Sequence, residues 1–294
     1  MRTIALADLH YNISRCRQQV QAQAREVCRR GADVLVIAGD TASTDIRFFE
    51  EALQLFESFP GRKMLVPGNH DIWVLAAECS RKRYEHDLPG ICRRHGFEYL
   101  DDGPVRVDGT AFVGTIGWYD YSFRDESLGV PMRFYEAKVG PGAADQLRRH
   151  RHLLNGHSDV TEDMKRITAI WRDGQHVKLG MSDVDFTRRQ ADKLRQHLSW
   201  AARRAEQIVA VVHHLPLREM APDNHEPNWR FARAFLGSEC FHEVLAGQPK
   251  VRYVLAGHSH WPYRTRRPSA GNGAIEYINI GSGYHRKHEV ELEL

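Results

Sequence analysis

The sequence VLVIAGD occupies residues 34–40 and carries the clearest signal of fold class in the chain. Its first five residues are aliphatic without a break, which is typical of a strand buried on both faces of a sheet. Gly39 and Asp40 follow directly, in the position where such a strand ends in a tight turn. We therefore predict a buried strand with a polar turn at its carboxyl end.

The segments on both sides of this strand alternate between strand and helix patterns. Residues 4–7 are a short apolar run, and apolar residues then recur at helical spacing between positions 13 and 27. After the strand, helical spacing covers residues 46–56, and residues 64–66 form a third apolar run. Because crossover connections are almost always right-handed, this order predicts parallel strands whose carboxyl ends share one edge of a sheet. Ligands bind at that edge in such folds.

Regular patterns return in the second half of the chain, where apolar residues recur on one helix face between positions 191 and 201. We expect the last two strands of this half to close the fold in antiparallel orientation. The strands predicted here are residues 110–116, 208–212, 251–256, 275–280 and 289–294.

The middle of the chain, residues 119–185, is polar, rich in arginine and histidine, and without clear periodicity. We interpret it as an insertion or a cap within a single domain of residues 1–294, a length that is ordinary for one large α/β domain with an excursion. Its basic run at residues 148–152 either grips phosphate or forms a solvated face, and the second interpretation is favoured. The aromatic residues at 118–121 either stack on a ligand ring or pack against the core, and packing is favoured.

Composition narrows the class of protein. The chain is 42% hydrophobic and 27% charged, as in soluble globular proteins, and its formal net charge is only +3, which gives little support for tight non-specific binding to nucleic acid. The five cysteines show no paired spacing, so we expect free thiols. The first residues are too short an apolar stretch for a signal peptide, and no later run is long enough to cross a bilayer. We expect a cytoplasmic protein that does not bind membranes.

Residues of metal-ligating types directly follow five of the predicted strands. One such group is as consistent with an ordinary strand-ending turn as with a site, whereas five groups at one sheet edge favour a site. Imidazoles, carboxylates and an amide without cysteine suit divalent ions such as Mn, Fe, Zn or Ni, and so many donors require two ions. The residues are Asp8 and His10, Asp40, Asn69 and His70, His213, and His258 and His260.

In this order the segments resemble the signature of calcineurin-like metallophosphoesterases, which include purple acid phosphatases and cyclic-nucleotide phosphodiesterases. The resemblance covers roughly residues 1–118 and 206–284. It implies an α/β fold that is a four-layer α/β/β/α sandwich, with two mixed sheets flanked by helices and an insertion in the middle of the chain. The matching segments are Asp8-Leu9-His10, Gly39-Asp40, Gly68-Asn69-His70-Asp71, Val212-His213-His214 and Gly257-His258-Ser259-His260.

The resemblance also implies the metal ligands. By this implication, one ion is held by Asp8, His10 and His260, the other by Asn69, His213 and His258, and Asp40 bridges the two. We expect Mn, Fe or Zn, with Ni and Mg as further candidates. Two ions roughly 3.5–4 Å apart share a hydroxide and clamp phosphoryl oxygens, so that no serine or cysteine nucleophile is required.

Two further residues receive catalytic roles. By resemblance, His70 donates to the phosphoryl or leaving-group oxygen, and the ordinary pKa of histidine suits this role near neutrality. Asp71 is predicted to orient and charge-stabilise the His70 imidazole. His214 is excluded from the metal ligands because neighbouring residues that leave a strand point in different directions.

The sequence therefore predicts a metal-dependent phosphoesterase that cleaves a phosphodiester or a phosphomonoester through a hydroxide bridging two ions. The expected partner is a small phosphate ester, with a nucleotide among the candidates. One alternative is a nuclease, which needs an extended basic track along the strand. Another is a non-catalytic scaffold of the same fold, and relatives of that kind have typically lost ligands that this chain keeps. The sequence gives no oligomeric state.

Overall fold

The computed structural model describes residues 1–270 and 273–294 and contains two mixed β-sheets. The first sheet has the order β11-β1-β2-β3-β4 and the second has the order β5-β6-β7-β8-β10-β9. The strands are β1 (Arg2–Leu6), β2 (Val34–Ala38), β3 (Arg62–Val66), β4 (Phe97–Tyr99), β5 (Val105–Val107), β6 (Thr110–Thr115), β7 (Gln207–Val212), β8 (Val251–Ala256), β9 (Tyr263–Ser269), β10 (Gly273–Asn279) and β11 (Val290–Glu293).

Helices cover the outer faces of both sheets. The described α-helices are α1 (Ser14–Arg30), α2 (Ile46–Gln54), α3 (Ser80–Lys82), α4 (Leu88–Arg94), α5 (Met132–Glu136), α6 (Pro141–Gln146), α7 (Asp173–His176), α8 (Asp183–Ala202), α9 (Pro227–Ala232) and α10 (Glu239–Ala246).

The predicted parallel core of the first sheet is confirmed. Strands β1, β2, β3 and β4 pair in parallel, and every residue of β2 is buried, as its aliphatic composition indicates. Helix α1 buries Cys16, Val20, Ala24 and Val27, the face with the predicted helical spacing. The Asp45 side chain caps α2 by accepting a hydrogen bond from the backbone N–H of Arg47, which satisfies one of the free donors of the first turn.

The prediction for the two closing strands is half correct. Strand β11 is antiparallel to β1, as expected. Strand β10 is antiparallel to β9 but parallel to β8. The reason is the edge strand β9, in which exposed residues alternate with half-buried ones and no apolar run marks the strand. Because β9 reverses the chain direction first, β10 returns parallel to β8.

Three buried clusters give the fold its layers. The two sheets pack face to face through aliphatic side chains such as Val36 of β2 and Leu255 of β8. Helix α1 packs on the outer side of the first sheet, and α8 and α10 pack on the outer side of the second. Each fully buried Val, Leu or Phe contributes about 1.5–3 kcal/mol by leaving water. The arrangement is the expected α/β/β/α sandwich.

Residues 119–185 contain the short helices α5, α6 and α7 and no β-strand. Aromatic side chains near their start are buried, with Trp118, Tyr119 and Tyr121 each at most 3% exposed, as the packing interpretation predicts. Asp183 accepts hydrogen bonds from Trp118 and Tyr121 and thus ties the start of this segment to its end. The basic run at 148–152 lies at the surface. The description of the segment as an insertion or cap stays a prediction.

Among residues 1–270 and 273–294, no helix combines the length and the apolar composition needed to cross a membrane.

Candidate metal centre

The structure brings all seven predicted metal ligands together at the carboxyl ends of five parallel strands. Each residue lies in the loop that follows its strand, and these loops of the two sheets meet at one place. The His260 side chain is 22% exposed and the other six residues are buried. The strands and residues are β1 with Asp8 and His10, β2 with Asp40, β3 with Asn69, β7 with His213, and β8 with His258 and His260.

One group of donors consists of Asp8, His10, Asp40 and His260. Each offers an atom that lies within 4.8 Å of the others. The Nε2 atoms of His10 and His260 are 3.0 Å apart, and His260 Nε2 is 3.7 Å from Asp8 Oδ1. His10 Nε2 lies 3.7 Å from Asp40 Oδ2. Four electron-pair donors therefore surround a space that suits one cation.

A second group consists of Asp40, His213 and His258, again within 4.8 Å of one another. His213 Nε2 lies 3.4 Å from Asp40 Oδ1 and 3.3 Å from the amide oxygen of Asn69. Asp40 therefore belongs to both groups and directs a different carboxylate oxygen toward each. This is the geometry that a bridging ligand requires.

The protonation pattern of the imidazoles fits metal binding. His213 Nδ1 lies 2.8 Å from the carbonyl oxygen of Ala38, which only accepts, so in the neutral ring Nδ1 carries the proton and Nε2 has the free lone pair. His258 Nε2 lies 3.2 Å from the carbonyl of Phe235, which leaves Nδ1 as the ligand atom by the same argument. Burial lowers the pKa of His10 and of His258 well below the usual range and keeps both rings neutral.

Two buried polar atoms of the centre lack a hydrogen-bond partner within the described part of the protein. Asp8 Oδ2 and His10 Nδ1 are buried and have no hydrogen-bond partner among the described residues. Burial raises the pKa of Asp8. Burial also acts to raise the pKa of Asp40, but the His213 and His70 imidazoles hold that pKa well below its usual value. Asp8 Oδ2 is thus an unpaired buried acceptor, and a divalent cation suits a set of oxygen and imidazole donors around it.

Five of the proposed ligands have a left-handed backbone. Their φ angles lie between 46° for His10 and 71° for His258. The backbone N–H groups of Asp8 and His10 donate to the carbonyls of Gly39 and Asp40, which holds the turns together. A non-glycine residue in this region costs about 1–3 kcal/mol, and such strain clusters at functional sites. The five residues are Asp8, His10, Asp40, His258 and His260.

Close packing explains why residue 68, which precedes Asn69, is a glycine. A Cβ atom at this position would lie 2.1 Å from Asp40 Oδ1 and 2.7 Å from His213 Nε2. Any side chain would therefore displace the proposed bridging carboxylate, so glycine is required here by close approach.

His70 lies at the cavity beside both donor groups. Its backbone N–H donates to Asp40 Oδ1 at 2.9 Å, and its ring stacks on Trp73 with centroids 3.8 Å apart. The ring lines the same cavity as Asp40 and His260. The imidazole is thus held in a fixed orientation next to the space where the ions and a substrate would meet.

Asp71 does not take the predicted position beside the His70 ring. Its carboxylate accepts hydrogen bonds from the backbone N–H groups of Gly68 and Ala42, both at 2.8 Å, and among the described residues it forms no hydrogen bond with the imidazole. The residues share a short 3-10 turn, in which neighbouring side chains point in different directions. The predicted orienting role is therefore corrected: Asp71 fixes the loops after β2 and β3. Burial and the Asp40 charge raise its pKa to about 7.

His214 is buried and belongs to neither donor group. Its Nδ1 lies 2.9 Å from the carbonyl oxygen of Ile116, and its ring packs against that of His258. Its exclusion from the ligands stays a prediction.

Asp173 is a site residue that the sequence analysis missed. This buried carboxylate begins α7 in the irregular segment, 1% exposed. One oxygen accepts from the Asn69 amide at 2.9 Å and from the Trp73 indole at 2.6 Å. The other accepts from Tyr119 at 3.0 Å and from Trp171 at 2.7 Å. Asp173 thereby orients the Asn69 amide so that its oxygen faces His213.

We expect Asp173→Asn to lower the affinity for one of two metal ions by about 10–100-fold, the usual effect of losing an outer partner of a ligand. The reason is that an amide cannot accept from all the donors, so Asn69 loses its fixed orientation. Ion counts in competition with a chromophoric chelator measure the effect. Asp183→Asn is the matched control, because this carboxylate also accepts from Trp118 and Tyr121 but touches no proposed ligand. Unchanged binding of both ions by Asp173→Asn would contradict the assignment.

Comparisons with known proteins identify related folds. A family model described as calcineurin-like phosphoesterase matches residues 1–262. A dimetal phosphatase from Danio rerio has a similar structure, with a TM-score of 0.54 and 14% identity over 99% of this chain and 91% of that one. A protein from Thermus thermophilus has a TM-score of 0.50 and 10% identity over 97% and 90% of the two chains. At these identities the two structures show the fold alone. No curated protein matches the chain significantly.

Proposed function

Because the chain belongs to the calcineurin-like phosphoesterase family, a family of metal-dependent phosphoesterases, we propose that it hydrolyses a phosphomonoester or phosphodiester at a centre of two divalent ions. The observation that carries this proposal is the position of Asp40, which directs one carboxylate oxygen toward His10 and the other toward His213. A centre of two ions needs a residue that is shared by two donor groups, whereas a site for a single ion does not need one.

The proposed ligands divide as the two donor groups do. Asp8, His10 and His260 would hold one ion, Asn69, His213 and His258 would hold the other, and Asp40 would bridge them. When bound, two such ions would supply a hydroxide nucleophile at neutral pH and would neutralise charge on the phosphoryl oxygens. The absence of cysteine from the donor groups favours Mn, Fe or Zn.

His70 is the proposed donor to the leaving-group oxygen. Burial lowers its pKa, which corrects the expectation of an ordinary histidine pKa. Its ring lines the cavity and is held by stacking on Trp73, so it can direct an N–H toward the leaving-group oxygen without reorganising. Asp71 supports this arrangement indirectly, because it fixes the loop that carries Asn69 and His70 through the Gly68 N–H.

A small ester is a better substrate for this site than a nucleic acid. The cavity beside the donors has a volume of about 340 Å³, which is in the range of small-molecule sites. The net charge of only +3 gives little support for a polynucleotide substrate. The complete donor set also favours an enzyme over a non-catalytic scaffold.

The test is to strip the purified protein with chelator and to resupply manganese, zinc, iron or magnesium separately. Hydrolysis of a generic phosphodiester and a generic phosphomonoester is then measured, with metal counts on the same samples. We expect activity to vanish on stripping and to return with about two ions per chain. Failure to bind stoichiometric metal would contradict the proposal. The preferred ester decides between phosphodiesterase and phosphatase.

A further inference from the structure

The cavity next to the metal donors has one wall that the proposed chemistry does not use. The first wall consists of ligands and His70, and it faces the reacting phosphate in the proposed function. The second wall is mostly aromatic and aliphatic. Its members come from the loop after β3, from the irregular segment, from α9 and from the last loops of the chain: Trp73, Ile170, Trp171, Trp229, Leu236 and Tyr284.

The indole rings of this wall are held rigidly. Trp171 stacks on Phe235 with centroids 5.3 Å apart and planes within 14°. The Trp171 N–H donates to Asp173 at 2.7 Å, and the Trp229 N–H donates to the carbonyl of Pro222 at 3.0 Å. Rigid aromatic side chains lose little entropy when a ligand binds, so they recognise flat rings efficiently.

The same hydrogen bonds make the indole N–H groups of this wall unavailable to a ligand. The N–H groups of Trp73, Trp171 and Trp229 are all engaged within the protein. A sugar ring placed against these indoles would find no hydrogen-bond donor in them for its hydroxyl groups, which is costly in a partly buried site. A planar apolar ring has no such requirement and gains from stacking against indole.

Arg172 adds a charge at the rim of the same cavity. Its side chain is exposed, and no carboxylate among residues 1–270 and 273–294 forms an ion pair with it. A free guanidinium beside the donors suits the negative charge of a phosphate ester. The cavity therefore combines groups that suit a phosphate with aromatic side chains that suit a ring.

From these observations, and resting on the proposed function, we propose that the substrate is a small phosphate ester that carries a planar aromatic ring, which lies against Trp171 and Trp229. The cavity volume of about 340 Å³ accommodates a ring system and a phosphate but not a folded phosphoprotein or a polymer. The ring is a nucleobase or an aryl group, which share this chemistry.

The test uses phosphonates, which cannot be hydrolysed at the P–C bond, so that binding is measured apart from turnover. Metal-loaded protein is titrated with naphthylmethylphosphonate and with methylphosphonate, which have matched charge, by calorimetry and by tryptophan fluorescence. We expect the aromatic probe to bind at least about tenfold more tightly, since each aromatic pair adds to the affinity that area burial provides. Trp229→Leu is expected to reduce this preference to below about threefold.

Trp200→Leu is the matched control, because Trp200 of α8 is half-buried, contacts Arg204 and does not line the cavity. It should leave both affinities unchanged. Equal affinity for the two phosphonates would overturn the substrate class and leave the phosphoesterase proposal intact. No binding of either probe to protein that holds two ions would overturn both.

A third titration identifies the source of the ring. It uses the phosphonate analogue of adenosine 5′-monophosphate. If this probe binds more tightly than naphthylmethylphosphonate, the ring is a nucleobase, and if it binds less tightly but still better than methylphosphonate, the ring is an aryl group. Both results support the proposal. A preference that survives in Trp229→Leu would overturn the assignment to this wall.

Discussion

We expect Asp40→Ala to lose both metal ions and at least about 1,000-fold in kcat/KM, because a dinuclear centre contributes several kcal/mol of charge stabilisation. Asp40 is the residue shared by both donor groups, with Oδ1 near His213 and Oδ2 near His10. Its Oδ1 also accepts from the His70 backbone N–H. Removing this side chain therefore affects both sites and the loop that carries the proposed proton donor. Metal counts and turnover on the same preparation measure the two losses.

Asp108→Ala is the matched control for this variant. Asp108 also has a left-handed backbone, with φ 49° against 54° for Asp40, but it lies exposed in the turn between β5 and β6. The two substitutions therefore place alanine in the same backbone conformation. Asp108→Ala should keep two ions and full turnover. Activity that persists in Asp40→Ala in a metal-replete assay would refute the bridge.

His70→Ala should separate catalysis from metal binding. We expect kcat to fall by about 100–10,000-fold, the usual contribution of a positioned proton donor, while the metal count stays unchanged. The expectation follows from the position of the ring, which lines the cavity and stacks on Trp73 but is absent from both donor groups. Turnover is measured at saturating substrate, so that the effect on kcat is separated from any change in KM.

His176→Ala is the matched control, because this ring also stacks on Trp73, with centroids 4.8 Å apart, and does not line the cavity. It should keep most of the turnover. If His70→Ala loses both ions, His70 is a ligand and the proposed division of roles is wrong.

The sequence predicted the fold and the ligand positions where the signal was local. Buried strands such as Val34–Ala38 are continuous aliphatic runs, and each ends directly at a candidate ligand. Parallel pairing places the ends of β1 and β2 side by side, so the convergence of Asp8 and Asp40 follows from strand order. His213 follows β7 of the second sheet and joins them only because the two sheets pack face to face. Strand β9 was missed because its alternating arginines give no apolar run.

Contacts between segments that are distant along the chain could not be predicted from the sequence. Asp173 lies in a stretch without periodicity, and it becomes part of the site only because the fold places it 2.9 Å from Asn69, a residue 104 positions away. Asp71 was misassigned for the related reason that adjacency in sequence does not give the direction of a side chain. Its partners Gly68 and Ala42 are backbone groups, which no residue pattern reveals.

The left-handed ligand residues have a consequence for how this protein can change over generations. Each of them keeps an aspartate or histidine where glycine or asparagine would relax the backbone, at about 1 kcal/mol or more per residue. Selection for thermal robustness alone would thus favour the replacements that abolish the chemistry. In homologues that no longer need the reaction, we expect these five positions to be substituted first. The substituted proteins should be more stable and inactive, while the sandwich fold is retained.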